Sequence, residues 1–127
     1  MNYILDTHVL LWSIFDSYKL STPVEKIILD KYCHKFISIS TMWEIAIKNR
    51  IDKLPLSNGL PDIFSIIKLR GYGIIGLERR HLEIYNKLPL LHRDPFDGII
   101  VATALAENMT IITTDENIQK YDAPCVW

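Results

Sequence analysis

An α/β fold built on a mostly parallel sheet is what this sequence predicts, and three observations carry the prediction. Short β-rich runs recur at Tyr3–Leu5, Phe36–Ile39, Ile74–Ile75, Thr110–Thr113 and Cys125–Trp127. Longer segments with apolar residues at helical spacing lie between them. The run Phe36–Ile39 is nearly all apolar, as a strand covered on both faces must be. Strands that alternate with helices need crossover connections, hence parallel pairing and a three-layer arrangement with helices on both faces.

The elements follow in order. The strand YIL runs into a helix beginning THVLLWSIF. Ile27, Ile28 and Leu29 mark the next helical segment, and the FISI strand leads into a helix containing TMWEIAIK. Ile63, Ile66, Ile67 and Leu69 mark a further helix, and Ile99, Ile100, Ala104 and Leu105 another. Gly and Pro place turns or loops at Leu54–Pro61, Gly71–Gly76 and Leu88–Pro95. Repeats and low-complexity tracts are absent, so residues 1–127 are expected to form one domain.

Composition narrows the function classes. The chain has 127 residues, 49% of them hydrophobic, and a formal net charge of -1, which excludes intrinsic disorder and a general nucleic-acid coat. No apolar run approaches the roughly 20 residues of a membrane span. The N-terminal MNYILDTHVLLW lacks a basic segment and carries Asp6 inside its apolar stretch, so no secretory signal is expected. Cys33 and Cys125 form no paired motif, which fits free thiols in a reducing cytoplasm rather than a disulfide scaffold or a zinc site.

Chemistry is expected beyond the carboxyl ends of the strands, where open α/β sheets bind ligands. Four separate segments deliver an acid there: Asp6 ends the first strand, Glu44 lies about one turn into the WEIAIK helix, Asp94 and Asp97 open the PFDGIIVATAL helix, and Asp115 follows TIITT. Each acid has a purely structural reading. Asp6 or Thr7 can cap the first helix, Thr41 and Glu44 fit a capping box, Asp94-Pro95 is an N-cap with Pro at the first helical position, and Asp115 can start a turn. Together, carboxylates converging on one pocket repel one another unless a cation neutralises them. Hard ions such as Mg²⁺ or Mn²⁺ suit such oxygen donors.

The segments LDTHVLLW, STMWEIAIK, HRDPFDGIIVATAL and IITTDENI, with KLPL at Lys53–Leu56 and the terminal VW, resemble in order and spacing the motifs of PIN-domain ribonucleases, above all VapC-type toxins of toxin–antitoxin systems. The resemblance covers nearly the whole chain. It implies a parallel sheet with an acidic pocket, Mg²⁺- or Mn²⁺-dependent cleavage of RNA, a cognate antitoxin as inhibitor and a homodimer. By motif it assigns Asp6, Glu44, Asp97 and Asp115 as catalytic, metal-holding acids. Asp94 is expected to cap its helix and to support the site from behind, and Thr7, Ser40 and Thr113 to supply hydroxyls near the pocket or cap the backbone.

His92, Arg93 and Lys48 are expected to contact RNA phosphates, although a solvated helix face explains Lys48 equally well. Of the four histidines, His8 is the best placed to line the pocket, with a surface or core position the favoured reading. Trp12 and Trp43 are expected in the core or an interface, with base stacking the less favoured use. Two rival classes lack their residues. A receiver domain needs an Asp ending a central strand and a Lys ending a later one, whereas FISIS ends in Ser and TIITT leads to Asp115. A haloacid-dehalogenase-type phosphatase needs two Asp one residue apart, and His8 occupies the second place. A PIN fold that binds RNA or protein without cutting is the remaining alternative.

Overall fold

The computed structural model describes Met1–Trp127. Strand β1 (Asn2–Leu5) leads into α1 (Thr7–Phe15), a short 3₁₀ turn at Ser17–Lys19 and α2 (Thr22–Leu29). Then come β2 (His34–Ser38), α3 (Ile39–Arg50), α4 (Gly59–Leu69) and β3 (Gly73–Ile75). The chain continues through α5 (Arg79–Lys87), α6 (Pro95–Glu107), β4 (Thr110–Ile112), α7 (Glu116–Gln119) and β5 (Cys125–Val126). All five strands are parallel, in the order β3-β2-β1-β4-β5, so the first strand is the central one.

The alternation of side chains along a strand divides the core between the two faces of the sheet. Tyr3, Leu5, Ile37 and Ile112 pack on one face with Val9 and Leu10 of α1, Met42 and Ile45 of α3, and Ile63 and Ile67 of α4. Ile4 and Ile111 point to the other face and pack with Ile100, Val101 and Ala104 of α6 and with Ile118 and Tyr121. The three-layer expectation holds. Gly73 lies in β3 where the sheet leaves no room for a side chain: a Cβ there would stand 2.8 Å from the Phe36 ring.

Two local expectations need correction. The GLP segment of the expected Leu54–Pro61 loop already begins α4, with Asn58 at its N-cap. The α3 helix starts at Ile39 with Ser38 as its N-cap, Ser38 Oγ accepting from the Ser40 N–H, so Thr41 is not the cap of a capping box. Thr41 is instead fully buried one turn further in. No helix is expected at α5 above, although His81, Ile84, Tyr85 and Leu88 recur at helical spacing; of RRHLEIYNK only His81 is buried. No helix is long and apolar enough to cross a membrane.

Side-chain burial makes a direct test of the layer arrangement. Ile4→Ala, at 0% exposure in the central strand, should cost about 2–5 kcal/mol in urea unfolding. Leu69→Ala, at 86% exposure on α4, should stay within about 0.5 kcal/mol of the parent.

Candidate active site

The parallel sheet sends the ends of β1 and β4 and the start of α6 to one edge, and the local chemistry of each turn places an acid there. Asp6 follows β1 directly, and its backbone N–H extends the ladder to Ile112 O at 3.2 Å. Its Oδ1 accepts from Val9 N–H at 2.8 Å and so caps α1, while Oδ2 accepts from the Thr113 hydroxyl. Thr113 in turn accepts from Asp115 N–H at 2.9 Å. A single hydroxyl thus joins the end of β1 to the end of β4. Asp115 caps α7 through Oδ1, which accepts from Asn117 N–H at 2.8 Å.

Glu44 projects from α3, and its carboxylate is divided between two partners. Oε1 accepts from the Thr7 hydroxyl at 2.6 Å and Oε2 pairs with Lys48 Nζ at 2.8 Å. The capping-box role expected of Glu44 is therefore not the one it takes: it bonds across to α1 instead of back to its own helix start. Asp94 is the N-cap of α6, with Oδ1 accepting from Phe96 N–H at 2.8 Å. Asp97, in the first turn of that helix, has His92 Nε2 3.6 Å from its Oδ2.

These acids share one electrostatic environment. Burial pushes the Asp97 carboxyl up to about 7, and the negative charges of Asp94, Asp115, Glu44 and Asp6 push in the same direction. Burial likewise raises Asp6, against the lowering effect of its Thr113 and Val9 hydrogen bonds. Asp97 thus feels Asp6, Glu44 and Asp115, while the ligand-type atoms that lie within 4.8 Å of one another at this edge are those of His92, Asp94 and Asp97. An oxygen-rich group holding more negative charge than its lone ammonium partner, Lys48, can offset fits a hard divalent cation.

The remaining expectations divide. Thr7 and Thr113 hold acids directly, whereas Ser40 pairs with Ser38 Oγ at 2.7 Å and touches none. His92, not His8, is the histidine beside the acids; His8 is exposed and lies 6.0 Å from the Trp12 ring. The exposed position of His8 is the surface reading favoured for it above. Arg93 is exposed. The Trp43 side chain is no core residue: it is 64% exposed and meets Phe96 edge-on at 5.3 Å. Trp12 is half-buried against Trp127.

A second group of metal-type ligands, Glu78, His81 and Glu107, joins α5 to α6. His81 Nδ1 accepts from Glu78 N–H at 3.0 Å, so the neutral ring carries its proton on Nε2 and donates to Glu107 at 3.0 Å. Both ring nitrogens are satisfied, and Arg80 also pairs with Glu107, so the group is a strut between two helices.

The PIN domain family profile matches residues 3–124. The chain belongs to the PIN-domain family. No curated protein matches it. Among solved structures, this PIN domain is similar in fold to VapBC2 from Rickettsia felis bound to a DNA fragment from its promoter, with a TM-score of 0.76, 20% identity, and 99% of this chain and 98% of that chain covered. It is also similar to VapBC-1 from nontypeable Haemophilus influenzae, with a TM-score of 0.68, 19% identity and 99% and 97% coverage. FitAcB from Neisseria gonorrhoeae gives 0.67, 16% identity and 98% and 96% coverage. At these identities the PIN fold is what is shared.

The raised carboxyl of Asp97 fixes the sign of a pH effect in the metal-free PIN domain. An unfolded Asp titrates near 3.9. Between about 4 and about 7 the folded state therefore holds a proton that the unfolded state has lost, and stability falls as pH rises through that window. Asp97→Asn should match the parent in Tm at pH 4 and exceed it at pH 8 in the presence of EDTA. A gap that is the same at both pH values would show that Asp97 does not titrate in this window.

Proposed function

We propose that this PIN domain is a Mg²⁺- or Mn²⁺-dependent endoribonuclease and the toxin of a toxin–antitoxin pair, acting in the cytoplasm. The observation that carries the reading is the gathering of acids at the carboxyl edge of the sheet: Asp97, raised to about 7 first by burial, also feels the charges of Asp94, Asp115, Glu44 and Asp6. The family membership supports nuclease chemistry, and the fold likeness to VapBC and FitAcB structures supports the toxin assignment.

A divalent ion, when bound, acidifies water and neutralises charge on the scissile phosphate. Asp6 and Asp97 hold it, with Asp115 completing the set. Asp6 keeps lone pairs free for this task, since each of its oxygens is used by only one donor in the protein. Glu44 orients the attacking water and takes its proton; Thr7 fixes one oxygen of that carboxylate and Lys48 holds the other. The water oxygen forms the new bond to phosphorus as the bond to the leaving sugar oxygen breaks, and that oxygen departs with a proton. Asp94 stays on the α6 backbone and sets the direction of Asp97. Arg93 and His92 face the RNA backbone. Lys48, committed to Glu44, reaches phosphate only when that pair opens.

Two partners complete the reading, a cognate antitoxin and a second copy of the chain. Ile39 and Trp43 are exposed one turn apart on α3, and Ile51 is exposed just past its end. This exposed apolar surface, with Trp43 next to Glu44 in the chain, supports a protein partner. An antitoxin can neutralise the site by placing an Arg or Lys among the carboxylates.

Asp6→Asn and Asp97→Asn should each abolish Mn²⁺-dependent cleavage of generic RNA while keeping the fold by circular dichroism. Asp94→Ala should lower stability by roughly 1 kcal/mol and retain part of the activity. Undiminished cleavage by Asp6→Asn, or in excess EDTA, would remove the metal mechanism. On the partner side, light scattering of the free protein at high micromolar concentration should give a dimer. Co-expression with the small protein encoded beside it should give a complex and relieve growth arrest. A strict monomer rejects the first statement, and absence of both complex and relief rejects the second.

A further inference from the structure

A cavity of about 130 Å³ lies against the acids, between the end of α5, the Leu88–Arg93 loop and the first turn of α6. His92 and Asp94 belong both to its wall and to the tight group around Asp97. Two tyrosines, Tyr85 and Tyr121, add aromatic surface, Tyr121 being buried and Tyr85 38% exposed. Gly98 fixes where the Tyr85 ring lies: a Cβ at that position would stand 2.5 Å from the ring, so the tyrosine rests on bare helix backbone. Leu88 and Pro89 supply apolar wall, and Asn86, an exposed residue, brings a carboxamide to the rim. That amide offers two donors and an acceptor in one plane.

A slot with aromatic walls and an amide at its rim suits a flat heterocycle that carries its own donors and acceptors along one edge. Aromatic side chains take bases by stacking regardless of sequence, and an amide adds the edge contacts that discriminate between bases. The position is equally informative. A group seated here lies beside Asp94 and His92, which places it next to whatever phosphate the acids address. A peptide side chain could fill the same volume, but the adjoining carboxylates and a phosphate-directed chemistry favour a nucleotide.

We propose that this cavity seats the base of a nucleotide flanking the scissile phosphate, with Tyr85 stacking on it and Asn86 reading its edge. The proposal rests on the ribonuclease reading above and deepens it: the cavity chooses where an RNA is cut.

Two measurements test it. In the first, a randomised RNA pool is cleaved with Mn²⁺ by the parent, Asn86→Ala, Tyr85→Ala and Tyr85→Phe, and the cut ends are sequenced. The parent should favour one base at one position beside the cut, and Asn86→Ala should lose that preference. Tyr85→Ala should raise KM roughly 5- to 150-fold, the worth of one stacked base, and Tyr85→Phe should restore it. Mn²⁺ affinity by calorimetry and the circular dichroism spectrum should not move in either alanine variant. An unchanged preference in Asn86→Ala with an unchanged KM in Tyr85→Ala overturns the proposal. So does loss of antitoxin binding in these variants while RNA cleavage stays as in the parent, which gives the cavity to the protein partner.

The second measurement separates the cavity from the enzyme reading. Saturation-transfer NMR with the four nucleoside 5′-monophosphates and Mg²⁺ should show base-proton contacts in the parent that vanish in Tyr85→Ala. If the parent cleaves no RNA but these contacts are present, the ribonuclease reading fails and the base site stands. If it cleaves RNA and the contacts are missing or survive Tyr85→Ala, the base site fails alone.

Discussion

Like charges brought together at low exposure are the constraint on which this molecule depends. Asp6, Glu44, Asp97 and Asp115 would drive one another apart were they not fixed by groups that cannot retreat. The parallel sheet supplies the fixed points, because the ends of β1 and β4 lie side by side and α6 begins at the same edge. Backbone N–H groups at helix starts and two threonine hydroxyls then hold the carboxylates in place. The Asp97 carboxyl is raised first by its burial and further by the charges around it. Net charge says nothing of this: a chain at -1 overall still gathers several of its acids at one edge of the sheet.

Capping and chemistry turn out to be compatible uses of the same residue. Asp6, Asp94 and Asp115 each cap a helix through Oδ1. A cap consumes one acceptor position of a carboxylate that has about four. The helix start therefore orients the acid at little expense to its capacity for a second ligand. Weighed residue by residue, the structural and functional readings compete; in the folded chain they are two ends of one carboxylate.

The sheet and the acids were legible in the sequence because they are written in local terms. Strand runs were placed within a residue or two, and every acid sits where the strand or helix boundary put it. What was not legible depended on neighbours far away in the chain. Trp43 reads as a core or interface residue, and its exposure with Phe96 as its one aromatic neighbour excludes the core half of that reading. Thr41 and Glu44 had the spacing of a capping box, yet Thr7, 37 residues away, competes for the carboxylate. The helix α5 carries His81, Ile84 and Tyr85 at helical spacing, but its one buried residue is His81, held by Glu107 of α6 across 26 residues of chain. His92 comes to Asp97 through the loop before α6, a path that no periodicity encodes.

The Thr113 hydroxyl has one proton, and it is spent on an acid 107 residues earlier in the chain. During synthesis, β1 emerges first and has to wait for β4 before its carboxylate acquires that partner. At the usual 5–20 residues per second, the wait is roughly 5–20 s. Asp6 is first alone, is joined by Glu44 38 residues later and by Asp97 only 91 residues later, and Asp115 follows Thr113 itself. Because the first strand is the central one, its carboxylate gains its hydroxyl partner only when almost all of these 127 residues have been made.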